Sequence, residues 1–304
     1  MQINKLKNLS PVFIGGANGF TGRFICKELK KNNVEFLANL RPGTNPEWMI
    51  RNNVNYVYSN LNDPESLTKA IKNCNSFINA SSLAFGVTPI IIDACKETNI
   101  KRVIFISTTS IFTSLNVNSK KIRKIAEDDI KNSELDWTIL RPTMIFGSIG
   151  DRNMIRLIKW INKFPIIPIF GNGNYLQQPV NVRDVAWASF NVLLNSSTIK
   201  ESFNLSGAKA YSFNEIIDFT SMALRKKIFK FHISLFFSLS IFKFFETLKI
   251  KLPIKSEQLK RINENKNFSY AKALRYFNYQ PLDFYESIKK EVEEYKQLIN
   301  QFYK

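Results

Sequence analysis

Val12-Phe13-Ile14-Gly15-Gly16-Ala17-Asn18-Gly19-Phe20-Thr21-Gly22-Arg23 is the stretch whose reading decides the fold. An apolar run of buried-strand type breaks into glycines at 16, 19 and 22, and a helical pattern starts directly after them. Each glycine has a task in a dinucleotide cradle. Gly16 makes the tight turn, Gly19 lets the backbone approach a pyrophosphate, and Gly22 lets the helix pack closely while its first N–H groups face the anion. Asn18 and Phe20, inside the same turn, join the expected cofactor residues. A glycine-rich turn alone occurs in many α/β proteins, so the reading rests on what precedes and follows it.

Working outward, Phe24, Ile25 and Leu29 share one side of a helix over Phe20 to Lys31. A second strand, Val34 to Leu40, ends in Asn39-Leu40-Arg41. Enzymes that use NAD usually place a carboxylate there for the ribose hydroxyls. Here the carboxylate is missing and a guanidinium is present, and with Arg23 it gives two cations for a 2′-phosphate. The expectation is NADP(H) in preference to NAD(H); the alternative is two ordinary solvated arginines. Strands follow at Val54 to Tyr58, Ser76 to Asn79 and Lys101 to Ser107, with helices from Pro64 and over Pro89 to Thr98, and Asp63 caps the first of these. Ala80-Ser81-Ser82 are small enough for a ligand to cross the strand tip. This repeated order predicts an α/β, Rossmann-like, doubly wound parallel sheet, with ligands beyond the carboxyl ends of its strands.

The 304 residues divide, on this reading, into a NAD(P)-binding Rossmann-like domain over 1–197 and a smaller, mostly helical portion over 198–304 for substrate or partner. The 43 Lys and Arg against 25 Asp and Glu give +18. That suits nucleic acid, an anionic membrane or a phosphorylated substrate, but it also suits a compositional bias that crowds the chain with Asn, Ile and Phe. No aromatic-basic module supports specific nucleic-acid recognition. Cys26, Cys74 and Cys95 are far apart and His232 is the single histidine, so neither a disulfide framework nor a metal site is expected. The first eight residues show no signal-peptide pattern, which points to the cytoplasm. From Phe213 the pattern reads as helical, and Ile228 to Leu248 is its apolar extreme. Lys230, His232 and Lys243 keep that run short of the ~18 apolar residues of a spanning helix. It fits either a helix buried between lobes or a basic-flanked helix on an anionic membrane or partner. Ser287 to Leu298 reads as an amphipathic closing helix.

Several stretches resemble one family, the extended short-chain dehydrogenases. The opening turn resembles T-G-x-x-G-F-x-G, with Gly15 in place of Thr. Asn60-Leu61-Asn62-Asp63-Pro64-Glu65-Ser66-Leu67 resembles D-L-x-D-P-x-S-L, which implies that Asn60 and Leu61 lie on the adenine side. Ser107-Thr108-Thr109-Ser110-Ile111-Phe112 resembles S-S-x-x-V-Y, which implies that Thr108, with Thr109 next, holds the reacting oxygen and that Ser107 lies by the cofactor. A hydroxyl run that merely ends a strand and caps a loop is the alternative. Leu140-Arg141-Pro142-Thr143-Met144-Ile145-Phe146-Gly147 resembles R-P-x-x-V-Y-G, which implies that Pro142 and Thr143 border the nicotinamide. The likeness continues through Gln177-Gln178-Pro179-Val180-Asn181-Val182-Arg183-Asp184, Phe203-Asn204-Leu205-Ser206-Gly207 and Pro281-Leu282-Asp283-Phe284. It implies Gln178, Asn181 and Arg183 on the substrate side, with Asp184 capping a helix. The closest pattern is that of the atypical NAD(P)-dependent epimerase/dehydratase members that include an NADPH-binding accessory subunit of respiratory complex I and its bacterial relatives.

One departure stands out. The family requires Tyr-x-x-x-Lys on the helix after the fifth strand, the Tyr as acid/base. The aligned positions here are Ser119 and Arg123, and no tyrosine occurs between Tyr58 and Tyr175. Arg123 shares a helix face with Ser119, Ala126 and Ile130, and Lys120 and Lys124 are expected to point away. An arginine, with a pKa above ~12, anchors a cofactor but shuttles protons poorly. The resemblance therefore implies an oxidoreductase or epimerase acting on a nucleotide-sugar or other anionic substrate through Thr108 and Arg123. The alternative is a non-catalytic NADPH-bound scaffold or assembly factor peripheral to a membrane.

Overall fold

The apolar run at the head of the cradle is buried at every residue because it becomes β1 (Val12–Gly15), an inner strand of a parallel sheet. A computed structural model describes residues 8–115, 117–240 and 263–302. After β1 the chain alternates helix and strand. It runs through α1 (Phe20–Lys31), β2 (Phe36–Leu40), α2 (Glu47–Arg51), β3 (Tyr56–Tyr58), α3 (Pro64–Ile71), β4 (Ser76–Asn79), α4 (Thr88–Glu97), β5 (Arg102–Ile106), α5 (Asn118–Asn132) and β6 (Asp136–Pro142). Then come β7 (Ile145–Phe146), α6 (Met154–Lys163), β8 (Ile166–Phe170), β9 (Leu176–Gln177), β10 (Val180–Asn181) and α7 (Val182–Leu194). The last elements are β11 (Glu201–Leu205), β12 (Tyr211–Ser212), α8 (Phe213–Leu224), β13 (Phe229–Ile233), α9 (Ala271–Phe277) and α10 (Phe284–Phe302).

Seven strands form one parallel sheet in the order β11-β6-β5-β4-β1-β2-β3. The chain winds from β1 through β2 to β3, then restarts on the other side of β1 at β4, so the strand order reverses between β1 and β4. That reversal opens a crevice at the carboxyl ends of the two strands, the place where doubly wound sheets hold their ligands. The fold is the α/β, Rossmann-like sheet the sequence predicts.

Two compact units share the chain. The first comprises residues 1–143, 182–205 and 269–280. Its core includes Phe13, Phe77, Phe105, Val103, Ile130 and Trp137, with the Phe13 and Phe77 rings 5.0 Å apart. The Phe77 ring lies close to the unusual Gly15: a Cβ there would be 3.1 Å from two of its atoms, so a side chain at this position would press the ring to shift by a few tenths of an ångström. Residue 197, where sequence reading ends the first domain, falls within this unit. The reason is that β11 rejoins the large sheet beside β6, and α9 covers it through Tyr276 and Phe277, whose rings lie 5.3 and 5.1 Å from Phe203.

The second unit comprises 144–181, 206–268 and 281–304, with α6, α8 and α10 around a core that includes Phe146, Ile158, Ile217, Phe284 and Ile288. Three short strand pairs belong to it: β7 with β10, β9 with β12, and β8 with β13. The last pair corrects the helical reading of Ile228 onward. Phe229-Lys230-Phe231-His232-Ile233 alternates with period 2 and pairs in parallel with β8, so backbone pairing overrides the apolar run around it. Residues 235–240 are helical, and 241–248 of the same run lie outside the described residues. Among the described residues no helix is long and apolar enough to cross a membrane.

Candidate dinucleotide site

The cradle lies in the first unit. Gly16 has φ +74°, in the left-handed region, and a Cβ on it would lie 2.8 Å from the Ser81 backbone nitrogen at the tip of β4. A Cβ on Gly22 would lie 2.3 Å from the Gly16 carbonyl oxygen. The turn closes through the Gly19 N–H, which donates to that carbonyl at 3.0 Å. Gly19 is the N-cap of α1 and supplies no side-chain acceptor, so the first N–H groups of the helix have no capping partner. A cradle that any side chain at 16 or 22 would fill, facing an uncapped helix start with its partial positive charge, suits a pyrophosphate. Ala80 and Ser81 sit beside it: the Ala80 N–H donates to the Gly15 carbonyl at 2.9 Å, and the Ser81 hydroxyl donates to Asn79 Oδ1 at 2.6 Å.

Arg23 is half-buried and held in place. Its Nε and Nη2 donate to Asn18 Oδ1 at 3.1 and 2.8 Å, and its guanidinium lies 5.2 Å from the centroid of the Trp48 ring. Burial lowers its pKa from the ordinary value, and a guanidinium so lowered is still a cation at neutral pH. Arg41, the first residue after β2, is exposed and makes no side-chain hydrogen bond or ion pair among the described residues. The neighbouring Asn39 is buried and donates to the Ser59 hydroxyl at 2.6 Å and the Ser59 carbonyl at 2.9 Å, tying β2 to the end of β3. No carboxylate stands at the end of β2. Asn60 uses Oδ1 to accept the Asn62 N–H at 3.1 Å, and Leu61 packs against the core. Asp63 accepts the Ser66 N–H at 3.4 Å as the cap of α3, with Pro64 at the first helical position.

Beyond β5 and β6 lies the region where chemistry is expected. The Ser107 hydroxyl donates to Glu127 Oε1 at 2.6 Å. Glu127 is buried and receives Arg141 through Nε at 2.9 Å and Nη2 at 2.5 Å, and Arg141 also lies 5.4 Å from the centroid of Phe112. Ser107 is thus fixed by a buried ion pair that nothing in local sequence announces. Thr108 caps the short 3₁₀ turn Thr109–Phe112, accepting the Ser110 N–H at 3.2 Å, so the capping role and the expected catalytic role fall on one hydroxyl. Thr109 is buried and donates to the Pro142 carbonyl at 3.4 Å; the Thr143 N–H donates to the Leu205 carbonyl at 3.0 Å. Arg123 is half-buried and donates from Nη1 to the Ser110 hydroxyl at 3.4 Å. Lys120 does not point away as expected. It is half-buried and donates to the Thr113 carbonyl, because the 3₁₀ turn brings that acceptor back over the first turn of α5.

The three residues expected on the substrate side take different parts. In the second unit, Gln178 is buried, with Nε2 donating to the Gly207 carbonyl at 2.7 Å and Oε1 accepting the Phe268 N–H at 2.8 Å. Asn181 is buried against Gly147, whose φ of +113° leaves room for the amide. In the first unit, Arg183 is exposed at the start of α7, its guanidinium 5.2 Å from the centroid of Phe24 on α1. Asp184 is the third residue of α7 and is buried in its first turn, where a carboxylate is favoured by the helix dipole. Sequence reasoning passed over Trp48, Glu127 and Arg141 as site residues, since only the fold carries them to Arg23 and Ser107.

Residues 16–157 match a family model described as NAD(P)H-binding. That match covers a little under half of the chain and shows what this segment is similar to. The chain is 22% identical over 215 residues to the mitochondrial NADH dehydrogenase [ubiquinone] 1 alpha subcomplex subunit 9 of Rattus norvegicus, covering 64% of this chain and 56% of that protein. It is 26% identical over 204 residues to the decarboxylating sterol-4-alpha-carboxylate 3-dehydrogenase of Dictyostelium discoideum, covering 54% of this chain and 62% of that one. The chain thus spans little more than half the length of such relatives. In fold it is similar to the crystal structure of UDP-glucose 4-epimerase from Thermotoga maritima, with a TM-score of 0.76, 15% identity, and coverage of 95% of this chain and 99% of the other.

Proposed function

We propose that this chain binds NADP(H) in preference to NAD(H) and keeps it as a fixed part of its structure, as a scaffold rather than a turning-over enzyme. The observation that carries the reading is on α5, where Ser119 and Arg123 align in sequence with the family's Tyr and Lys and Arg123 donates to the Ser110 hydroxyl. A guanidinium holds its proton at any ordinary pH and so anchors ribose or phosphate without shuttling protons. Arg41, with no side-chain partner among the described residues, and Arg23, held by Asn18 beside Trp48, supply the charge for a 2′-phosphate. Gly16, Gly19 and Gly22 cradle the pyrophosphate, and Ala80, Ser81, Pro142 and Thr143 line the way to the nicotinamide.

A second reading has one observation in its favour. Thr108 accepts from Ser110 with its oxygen, and its own hydrogen has no acceptor among the described residues. That hydrogen is available to polarise a substrate oxygen, in an oxidoreductase or epimerase acting on a nucleotide-sugar or other anionic molecule with Arg183 at its edge. Bound NADP(H) would supply a hydride donor or acceptor in either case. The deciding measurement is the mass, redox state and exchange rate of the nucleotide that copurifies with the full chain. The scaffold reading expects NADPH that exchanges slowly and stays reduced with every sugar nucleotide offered; oxidation coupled to a substrate overturns it in favour of the second.

A further inference from the structure

The β8–β13 sheet in the second unit is apolar on the side that faces solvent. Ile166 pairs with Phe229 and Pro168 with Phe231, and residues in register share a face. Ile166 is 51%, Phe229 65% and Phe231 56% exposed, whereas Ile167 and Ile169, on the opposite face of the same strand, are buried in the core. The patch continues into α6. The Trp160 indole donates to the Ile166 carbonyl at 2.9 Å, the Trp160 and Phe164 rings are 4.8 Å apart, and both are exposed. Phe236 and Phe237, just beyond β13, are also exposed. A continuous apolar face of this kind marks an interaction surface.

The charge around it selects the occupant. No Asp or Glu occurs from Arg152 through Arg183, nor from Phe219 through Phe245. Lys159 and Lys163 on α6, and Arg225, Lys226 and Lys227 just before β13, are exposed cations beside this face. The one exposed carboxylate paired to β13 among the described residues, Asp218, is engaged by Lys230, which alternates to the opposite face from Phe229 and Phe231. Lys163 Nζ lies 5.3 Å from the centroid of Phe164, and Lys226 donates to the Asn162 carbonyl, so charge and aromatic rings are interleaved along one rim. Tryptophan and phenylalanine inside a lysine and arginine border match the acyl boundary and the phosphates of a lipid leaflet. A second copy of this chain is a poor fit, because an isologous contact would set the same cations against each other.

We propose that the outward face of the β8–β13 sheet, with Trp160 and Phe164, docks on an anionic lipid bilayer. The inference does not depend on whether the cofactor turns over. Flotation of the full chain with phosphatidylcholine vesicles, alone or mixed with phosphatidylglycerol, tests it. Binding is expected only with phosphatidylglycerol, and it should be lost as salt shortens the Debye length from about 10 Å to about 3 Å. Phe229→Thr with Phe231→Thr should weaken binding by about tenfold or more while leaving NADP(H) affinity unchanged. Lys226→Glu with Lys227→Glu should do the same without touching the apolar face, which keeps the test decisive if the first variant misfolds. The proposal is overturned if the wild type ignores the vesicles, or binds both kinds equally. A concentration-dependent dimer dissolved by the phenylalanine variant overturns it in favour of a second copy. Unchanged vesicle binding with lowered thermal stability in that variant overturns it in favour of the chain's own residues 241–262 as the cover.

Discussion

At the scale of single residues, the two arginines of the nucleotide site are not equivalent. Arg23 has a partner at every turn, with Asn18 holding two of its donors and Trp48 lying under its plane. Arg41 has none among the described residues, so what it does for a ligand is not entangled with folding. Arg41→Glu is expected to weaken NADP(H) by about 1.5–3 kcal/mol, roughly ten- to a hundredfold, with little effect on NAD(H). Titration of both nucleotides by calorimetry checks this, and equal losses would refute the 2′-phosphate assignment. The cysteines give a second residue-level expectation. All three are buried; burial pushes Cys26 and Cys95 up to about 12 and Cys74 up to about 11. Since the thiolate is the reactive form, iodoacetamide should label none of them in the native protein at neutral pH and all of them in denaturant. Mass spectrometry of the two samples decides it.

At the scale of elements, the start of α1 can be tested apart from the rest. A side-chain acceptor at Gly19 would cap the helix and place an oxygen where the pyrophosphate is expected. Gly19 has φ −70° and ψ 167°, so its backbone admits a side chain, and a Cβ there would meet only the Gly16 carbonyl, at 3.2 Å. Gly19→Asp is therefore expected to leave thermal stability within about 1 kcal/mol of wild type, while nucleotide binding falls below detection. Retained binding would place the anion elsewhere. This turn was legible in sequence because its demands are local: spaced glycines, a strand before them and a helix after. The cap at Asp63 was legible for the same reason. What escaped depends on distant pairing. The alternation in Phe229–Ile233 is present in the chain, but phenylalanine and leucine on both sides mask it, and only the partner strand β8 decides for a strand. β11 is hidden likewise, since nothing in Glu201–Leu205 says that it returns to β6. Glu127 reads as a solvated helix residue until Arg141 and Ser107 are brought to it.

At the scale of the whole molecule, each unit buries an acidic group whose proton the fold retains, and the two act in different pH ranges. In the first unit, burial and then the charge of Asp184 raise Tyr279 well above the ordinary tyrosine value of 10.0. In the second, Glu291 on α10 is raised by burial, then by its hydrogen bond to Asp151 and the charge of Asp151, while the Gly147 N–H, donating to its Oε2 at 2.8 Å, opposes the shift. Glu294, which accepts the Ser148 hydroxyl at 2.9 Å, adds to the rise. Asp151 Oδ1 accepts the Asn153 and Ile155 N–H groups at 2.6 and 3.2 Å, at the start of α6. A group with a folded pKa above its unfolded one adds stability that is complete below the unfolded pKa and is lost as pH rises through the folded one. For Glu291 the loss begins above the ordinary 4.5 and runs through neutral pH; for Tyr279 it begins only above 10.0. Neutral Gln at 291 can donate to Asp151 and accept from Gly147 as the protonated acid does. Glu291→Gln should therefore flatten the fall in denaturation midpoint between about pH 5 and pH 9, and Tyr279→Phe should change the profile only beyond that range. Denaturant midpoints measured across pH for the three proteins give the test: a Glu291→Gln profile parallel to wild type would show that Glu291 is ionised in the fold and that another group holds α10 against the Gly147–Asp151 loop.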